Sequence, residues 1–408
     1  MLTFSWPNAW ASELQRFRFF FAAEDIVIKN YLIAPGPTPV PSRVLLAMAQ
    51  PIIHHRTPQF SKIFADAKRG LQEVFQTKQD VLMLAASGTG AMEGSVTNLF
   101  SPGDEVLFVN GGKFGERWGK IASAYGLKPI ELKVEWGRGA RVDDVRRLLD
   151  QHPGIRGVLL QASETSTAAL HPTAEIAALT RQRDTLLIVD GITAVGVFDV
   201  PMDSWGIDVL ITGSQKALML PPGLAFVALS ERAWQRTKAA KVPRFYFDFA
   251  RERDNLAKDT SAWTPAISLV TGLREALAMM LEEGLPAIFA RHARLAAATR
   301  AAASALDLKL VAPDAPSPAL TAFFVPPAVD GGKLVAYLRD RMGVTFMGGQ
   351  DQLKGKIVRI GHLGYTGTFD IVTAIAALEM ALRHFGHNVV FGRGVAAAQE
   401  VLMAGMPE

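Results

Sequence analysis

The sequence lacks cysteine altogether: none of its 408 residues is one. Disulfide bonds, thiolate zinc sites and a cysteine nucleophile are therefore excluded. Long apolar runs are missing as well, because glycine, serine or charged residues interrupt the most hydrophobic stretches before they reach the roughly 18 residues of a membrane span. From these absences we expect a soluble, cytoplasmic protein that does not enter a membrane.

A strong charge of either sign is also lacking. The chain has 43 basic and 39 acidic residues, so its net charge of +4 is a small imbalance and not a basic patch. Nucleic acid binding is not expected, and no helix-turn-helix segment or basic arm is evident. What remains is an ordinary globular composition, 49% hydrophobic and 20% charged, in a chain long enough for a large domain and a smaller one.

Between residues 80 and 229, short apolar runs alternate with longer amphipathic stretches. This alternation is typical of an α/β fold with a mainly parallel sheet. Strands are predicted at residues 81–85, 105–109, 157–161, 185–189, 209–212 and 224–229. The clearest helices of this part are predicted at residues 91–99 and 174–180.

The pattern changes after residue 265, where helices become more frequent. Helices are predicted at residues 266–283, 286–306, 333–341 and 371–383, and strands at residues 309–311, 320–324 and 356–360. We therefore expect three parts: an N-terminal extension or arm (residues 1–28), a large domain (residues 29–285) and a small C-terminal α+β domain (residues 286–408). The segment 244–259, which is aromatic and then charged, is predicted to be a surface loop.

Ser87-Gly88-Thr89-Gly90 lies between the first predicted strand and the helix that follows. Such a turn leaves backbone N–H groups and the positive end of a helix free to hold a phosphate. A tight turn without a ligand is the alternative. A nicotinamide-dependent oxidoreductase is not expected, because Gly88, Gly90 and Gly94 are spaced GxGxxxG and not GxGxxG.

Two charged residues follow buried strands further along the chain. Asp190 ends the strand at residues 185–189, at the edge where open α/β sheets bind ligands; a helix cap or a magnesium ligand is the alternative. Lys216 follows the strand at residues 209–212 through three small or polar residues. A lone lysine is typically a solvated surface residue, but one delivered from a strand end into a crevice would have the lowered pKa that a Schiff base requires.

Arg359 lies in a β-like run of the smaller domain, where it could bind a substrate carboxylate with two hydrogen bonds. An ordinary exposed arginine on an edge strand is the alternative. His54 and His55 are not expected to bind a metal ion, because neighbours on a strand face opposite ways and no carboxylate cluster accompanies them.

These segments resemble the class V, fold type I aminotransferases that depend on pyridoxal phosphate, and most closely the alanine/serine–glyoxylate aminotransferase group. The resemblance extends from about residue 29 to about residue 385. It is carried by Asn30-Tyr31-Leu32-Ile33-Ala34-Pro35-Gly36-Pro37-Thr38, by His55-Arg56-Thr57-Pro58, and by Gly213-Ser214-Gln215-Lys216-Ala217-Leu218 followed by Pro221-Pro222-Gly223. The lysine of the last motif lies 26 residues after Asp190, in the order and approximate spacing of the family.

The resemblance implies that Lys216 holds pyridoxal phosphate as a Schiff base and carries the proton, and that Asp190 pairs with the pyridine nitrogen. It implies further cofactor contacts from Ser87, Gly88, Thr89, Phe114, Thr165 and Gln215, with Thr264 reaching over from the second subunit of a homodimer. Arg359 and the backbone around Gly36 would bind the substrate carboxylate.

Three positions depart from the family pattern. Phe114 stands where relatives often have tryptophan, so the stacking face is kept but an N–H donor is lost. Thr89 stands where some relatives have histidine. A contact made through the backbone N–H at this position would tolerate the change of side chain. Ser261 stands where the family usually has tyrosine, so one phosphate contact lacks its usual side chain.

The reaction implied is ping-pong transamination between a small amino acid, such as alanine or serine, and a 2-oxo acid, with glyoxylate as the favoured acceptor. Other reactions of the same fold stay open: a lyase, or an aminotransferase for aspartate, ureidoglycine or an aminophosphonate. A cysteine desulfurase is excluded, because it needs a nucleophilic cysteine and the chain has none.

Overall fold

The computed structural model describes residues 28–404, so the expected N-terminal extension lies outside the described residues except for its last one. The strands are β1 (Tyr31–Leu32), β2 (Val81–Leu84), β3 (Glu105–Asn110), β4 (Lys128–Lys133), β5 (Ile155–Gln161), β6 (Ser163–Glu164), β7 (Ala169–Leu170), β8 (Leu186–Asp190), β9 (Val209–Gly213), β10 (Ala225–Leu229), β11 (Leu320–Phe324), β12 (Val344–Thr345), β13 (Met347–Gly348) and β14 (Ile357–Gly361). The helices are α1 (Ser42–Met48), α2 (Pro58–Phe75), α3 (Gly88–Leu99), α4 (Lys113–Ala124), α5 (Val142–Gln151), α6 (Thr173–Arg181), α7 (Met202–Trp205), α8 (Glu231–Thr237), α9 (Phe249–Leu256), α10 (Ile267–Glu283), α11 (Leu285–Ala305), α12 (Gly331–Met342), α13 (Thr368–His384) and α14 (Arg393–Ala404), with a 3₁₀ turn at Asp351–Leu353.

A seven-stranded sheet with the order β2-β10-β9-β8-β5-β3-β4 forms the centre of the larger part. All of its strands are parallel except β10, which runs antiparallel to both of its neighbours. Every residue of β8 and β9 is buried. Strands that helices cover on both faces are expected to be continuous apolar runs in the sequence. The prediction of an α/β fold with a mainly parallel sheet is confirmed.

A second, smaller sheet has the order β11-β14-β13 and is antiparallel throughout. Helices α12 to α14 pack with it around a separate apolar core. The start of the described chain also joins this part, because β1 pairs in parallel with β12 and Ile33 is buried in the same core. Helix α11 contributes Ile288 to the large core and Leu295 to the small one, so the expected domain boundary at residue 285 stays a prediction.

Two predicted elements were wrong. The segment 244–259 is not a loop throughout, since it contains α9. Asp248 begins this helix by accepting hydrogen bonds from the backbone of Ala250 and Arg251, and Phe249 is fully buried. The strand predicted at residues 309–311 is reduced to a single bridge between Leu310 and Phe323.

The other helices predicted from the pattern agree with the structure to within three residues at each end. Within residues 28–404, none of the helices is both long and apolar enough to cross a membrane.

The sheet brings the chemistry-bearing segments to one edge. Because β2, β5, β8 and β9 run in the same direction, the residues that follow them emerge together at the carboxyl ends of the strands. A third apolar cluster, which includes Ala217, Leu320 and Ile357, lies between the two sheets and packs the smaller part against this edge. The smaller part therefore lies beside the cavity at this edge, whose lining residues all come from the larger part.

Candidate active site

The cavity at the sheet edge brings together eight of the eleven site residues predicted from the sequence. These are Ser87, Gly88, Thr89, Phe114, Thr165, Asp190, Gln215 and Lys216. Arg117, Ser163, Ile192 and Thr193 complete the lining. These residues come from five separate stretches of the chain. The fold brings them together at one place.

Lys216 lies in the turn after β9, and its side chain crosses the cavity towards the backbone at residues 35–36. Its amine donates a hydrogen bond to the carbonyl of Pro35, and its own carbonyl accepts a bond of 2.8 Å from the hydroxyl of Thr38. Burial first, and the charge of Arg359 second, lower the pKa of the amine to about 8. A substantial fraction of the amine is thus unprotonated and nucleophilic near neutral pH.

Gly36 explains how the lysine can approach the backbone so closely. Its φ of +123° is disfavoured for residues with a side chain, and a Cβ at this position would lie 2.2 Å from Nζ of Lys216. Glycine is therefore required on both counts. The predicted proximity of Gly36 to the reacting centre follows from this contact.

Asp190 ends β8 beside Lys216 and is buried. One oxygen accepts a hydrogen bond of 2.9 Å from the backbone N–H of Ile192. Burial is the main cause that raises the pKa of the carboxyl to about 6; the hydrogen bond from Ile192 opposes the rise, Glu164 adds to it, and Arg117 and Lys216 oppose it. A buried carboxylate with raised pKa is stabilised by a cationic partner, and a protonated pyridine nitrogen supplies one.

The N-terminus of α3 provides the donors for an anion. Ser87 begins the helix without a side-chain cap, and the backbone N–H groups of the first turn point out of the helix at its positive end. The buried amide of Gln215 faces the same cavity, and its Oε1 has no hydrogen-bond partner among the described residues. An unsatisfied buried amide beside a helix N-terminus fits a phosphate group, to which the amide would donate in its flipped orientation.

Phe114 and Thr165 also line the cavity. Phe114 lies in the first turn of α4, where its ring is half-buried and offers a flat apolar face. The hydroxyl of Thr165 is 3.0 Å from the hydroxyl of Thr193. Both placements agree with contacts to a planar, oxygen-bearing cofactor ring.

Arg359 lies on β14, the central strand of the small sheet, and is only 4% exposed, so the alternative of an exposed edge-strand arginine was wrong. Nε donates to the carbonyl of Gly348 at 3.0 Å and Nη1 to the carbonyl of Thr165 at 2.8 Å. Burial lowers its pKa to about 10, and Glu164 acts in the opposite direction. The guanidinium is held in a fixed plane beside the cavity, with further N–H groups to bind a carboxylate.

Thr264 is the one predicted residue that the single chain does not bring to this site. It lines a different cavity, together with Ser261 and Trp263. Its expected contribution across a subunit interface stays a prediction.

Sequence reasoning missed two charged residues of the site, Arg117 and Glu164. Nη1 of Arg117 donates to the hydroxyl of Thr89 at 2.9 Å. The fully buried carboxylate of Glu164 accepts from the backbone N–H of Gly115 at 2.9 Å, and so caps α4, because the residue at the N-cap position, Gly112, has no side chain to do so. The only signal in the sequence was their position, three residues after Phe114 and one residue before Thr165.

His54 and His55 do not lie on a strand, and their rings stack with centroids 4.5 Å apart instead of facing opposite ways. The prediction that these two histidines face opposite ways on a strand was therefore wrong, whereas the lack of an accompanying carboxylate cluster agrees with the described part of the structure. Over residues 28–404, no group of three or more histidine, aspartate or glutamate side chains is placed to hold a metal ion.

A nucleophilic lysine, a buried carboxylate and a helix N-terminus, all at the carboxyl edge of this sheet, define a fold type I enzyme that uses pyridoxal phosphate. The model of the aminotransferase class-V family matches residues 30–364, and the chain belongs to this family of pyridoxal-phosphate-dependent aminotransferases. The predicted family, fold and cofactor are confirmed.

Individual relatives cover nearly the whole chain. A protein of Synechococcus named the small subunit of a soluble hydrogenase is 45% identical, over 92% of this chain and 98% of its own. The L-aspartate–glyoxylate aminotransferase of Paracoccus denitrificans is 37% identical, over 91% of this chain and 96% of its own. Among solved structures, the ureidoglycine–glyoxylate aminotransferase of Bacillus subtilis matches with a TM-score of 0.89 at 30% identity, covering 93% of this chain and all of its own.

Proposed function

We propose that the protein transfers the amino group of a small amino acid to glyoxylate, with Lys216 as the residue that binds pyridoxal phosphate covalently. The observation that carries the proposal is the meeting of Lys216, Asp190 and Arg359 around one cavity. The bound cofactor supplies an electron sink that weakens the bond between Cα of the substrate and its proton.

Lys216 performs two tasks in this scheme. With a pKa of about 8, its amine would hold the cofactor as a Schiff base, and once a substrate amine has displaced it, the free amine would move the proton from Cα of the substrate to the aldehyde carbon of the cofactor. The carbonyl of Pro35 holds the amine on one side of the cavity, and Gly36 leaves room for it because it has no side chain. The same groups act in both halves of a ping-pong reaction.

Asp190 and Arg359 hold the two ends of the reacting system. Asp190 would keep a proton on the pyridine nitrogen, which maintains the ring as an electron acceptor. Arg359 would bind the α-carboxylate of the substrate, because its plane is already fixed by the carbonyls of Gly348 and Thr165. The orientation of Cα above the lysine follows from this anchor.

Glyoxylate is the acceptor that two of the named relatives share, whereas their named donors differ. A donor with a second carboxylate needs a second cation. Among the described residues of one chain, the cationic side chains that line the cavity are Lys216 and Arg117, and Arg117 is bonded to Thr89. The lack of a second free cation among these described residues supports a small uncharged donor, such as alanine or serine. We expect Thr264 of the other subunit of a homodimer to complete the site.

The name of the Synechococcus relative gives no second candidate function. Iron–sulfur clusters are held by cysteine thiolates, and this chain has no cysteine.

A panel of amino donors tests the proposal. Holoenzyme is mixed with alanine, serine, aspartate or ureidoglycine, and the loss of the cofactor's visible absorbance is followed; glyoxylate or pyruvate is then added to restore it. We expect alanine or serine to react fastest, and glyoxylate to restore the spectrum faster than pyruvate. Preference for aspartate would overturn the proposed donor, and an unchanged spectrum with every donor would overturn transamination itself.

Arg359→Ala is expected to raise KM for both the amino acid and the 2-oxo acid by about 10²-fold, because a buried, bidentate, charge-assisted contact is lost. The affinity for pyridoxal phosphate should change far less, since Arg359 contacts the wall of the cavity and not its phosphate end. Steady-state kinetics and cofactor titration measure the two effects separately. Equal losses in both would contradict the assignment.

Arg339→Ala is the control for this substitution. Arg339 lies on α12 of the same part of the chain and is paired only with its exposed neighbour Asp340. Its replacement should leave both constants unchanged.

A further inference from the structure

We infer that Arg117 is a positioning residue of the cofactor site: it holds Phe114 and the first turn of α3 in the arrangement that receives pyridoxal phosphate, and it keeps a positive charge beside Asp190. The inference rests on the proposed placement of the cofactor in this cavity. The contacts predicted from the sequence do not include this residue.

The first support is the geometry of α4. Phe114 and Arg117 are three residues apart on this helix, so their side chains lie on the same face. The central carbon of the guanidinium lies 4.9 Å from the centroid of the Phe114 ring. An arginine in this position limits the tilt of the ring that the cofactor would stack against.

The second support is the bond to the neighbouring helix. From its position over the ring, the guanidinium also reaches the hydroxyl of Thr89, at 2.9 Å, in the first turn of α3. The planar guanidinium can stack on an aromatic ring and at the same time donate hydrogen bonds within its own plane, which the ammonium group of a lysine cannot do. Arg117 thus links the proposed stacking residue to the proposed phosphate-binding turn.

The third support is that the backbone of α4 is fixed independently of Arg117. The N–H of Gly115 is bound by Glu164, and the N–H of Lys113 donates to the hydroxyl of Ser166 at 2.9 Å. Removing the arginine therefore leaves the start of the helix held. Its loss is expected to change the ring and the charge, not the fold.

The fourth support is the charge around Asp190. The charged groups that act on this carboxyl are Glu164, which raises its pKa, and Arg117 and Lys216, which lower it. Without Arg117, the carboxyl would keep its proton to a higher pH. Because only the ionised carboxylate can accept the proton of a pyridinium, Arg117 widens the pH range in which the site binds the cofactor.

Two substitutions separate the roles of charge and shape. Arg117→Met keeps an apolar stem without charge, and Arg117→Lys keeps the charge without the planar fork. Arg253→Met is the matched control, because that guanidinium also covers an aromatic ring, Trp234, but sits beside Asp80 at the opposite edge of the sheet.

The experiment is a titration of each apoenzyme with pyridoxal phosphate and, separately, with pyridoxal, followed by quenching of tryptophan fluorescence. The titrations are repeated from about pH 5 to about pH 8, across the pKa of Asp190. The dependence of the quenching on ligand concentration, not catalytic activity, gives the dissociation constant.

We expect Arg117→Met to weaken binding of both ligands about ten- to a hundredfold and to move the pH midpoint of binding upward. Arg117→Lys should lose about tenfold but keep the midpoint of the unaltered protein, and Arg253→Met should change neither. Undiminished binding by Arg117→Met, a loss without a shift of midpoint, or a loss confined to the phosphorylated ligand would each overturn the inference. Failure of the unaltered protein to bind pyridoxal phosphate would instead overturn the proposed function.

Discussion

Lys216→Ala is expected to lower the rate of transamination by about 10⁴-fold or more, because one amine supplies both the covalent attachment and the proton transfer, and a positioned acid–base group alone contributes about 10²- to 10⁴-fold. The variant should still bind pyridoxal phosphate, since the proposed contacts of Asp190, Phe114 and the α3 turn remain. The expected result is thus a protein that holds its cofactor without a covalent bond and is nearly inactive.

Borohydride reduction followed by peptide mass spectrometry measures the covalent bond directly. In the unaltered protein the cofactor mass should be found on the peptide that contains Lys216, and in Lys216→Ala on no peptide. Lys120→Ala is a suitable control, because Lys120 lies on α4 near the site but is exposed and paired with Glu116. Cofactor mass on another lysine, or a variant with activity within tenfold of the unaltered protein, would contradict the assignment.

A small amine added to the solution distinguishes a missing base from a damaged site. Ethylamine fits the space left by the lysine side chain, and we expect it to restore part of the activity of Lys216→Ala with a pH dependence that follows the pKa of the added amine. A misfolded cavity would not respond to it.

Loss of stability should not account for the inactivity. Burial lowers the pKa of Lys216 from 10.5 to about 8, so the folded state binds the proton less tightly than the unfolded state. The resulting cost to folding is present in full below about pH 8 and is relieved as the pH rises from about 8 to 10.5. Removing the amine removes this cost, so the apoenzyme of Lys216→Ala should unfold at the same temperature as the unaltered protein or higher at neutral pH.

The parts of the site that could be predicted are those that follow directly after buried strands. Asp190 ends β8 and Lys216 follows β9 in the next turn, and parallel strands bring their carboxyl ends together whatever the order of the sheet. The chemistry of these residues could therefore be read along the chain, and the family motif supplied Phe114, Thr165 and Arg359 by resemblance.

The parts that could not be predicted depend on how helices pack. Arg117 bonds to Thr89 only because α4 lies beside α3, and Glu164 caps a helix that begins 51 residues before it at Lys113. No periodicity in the sequence records either contact. Helix α9 was missed for a related reason, since its buried face consists of Phe249, Glu252 and Leu256, with only two apolar residues in a strongly charged segment.

Asp190→Asn is expected to lower kcat by about 10²- to 10³-fold, because loss of one partner of a buried charge pair costs about 3–5 kcal/mol and an amide cannot hold the ring nitrogen protonated. The affinity for pyridoxal phosphate should fall as well. Steady-state kinetics and fluorescence titration measure the two losses. Retention of kcat within tenfold would contradict the assignment of Asp190.

The same substitution should stabilise the protein without its cofactor. A loss of kcat together with a gain in the stability of the apoenzyme makes the prediction specific. Burial raises the pKa of Asp190 from 3.8 to about 6, so the folded state binds the proton more tightly than the unfolded state. The stability therefore falls as the pH rises from 3.8 to about 6, and at pH 7 the ionised carboxylate destabilises the apoenzyme by up to about 3 kcal/mol.

Asp208→Asn is the matched control for both measurements. Asp208 is also a buried carboxyl beside a strand of the same sheet, but it lies at the other edge and is bonded to the backbone of Leu187 and the hydroxyl of Ser230. Burial raises the pKa of Asp208 as well, so its replacement should relieve a similar cost to folding at pH 7 and should leave kcat unchanged. If Asp190→Asn lowered the unfolding temperature of the apoenzyme, its carboxylate would be a structural partner and not a group held ready for a cofactor.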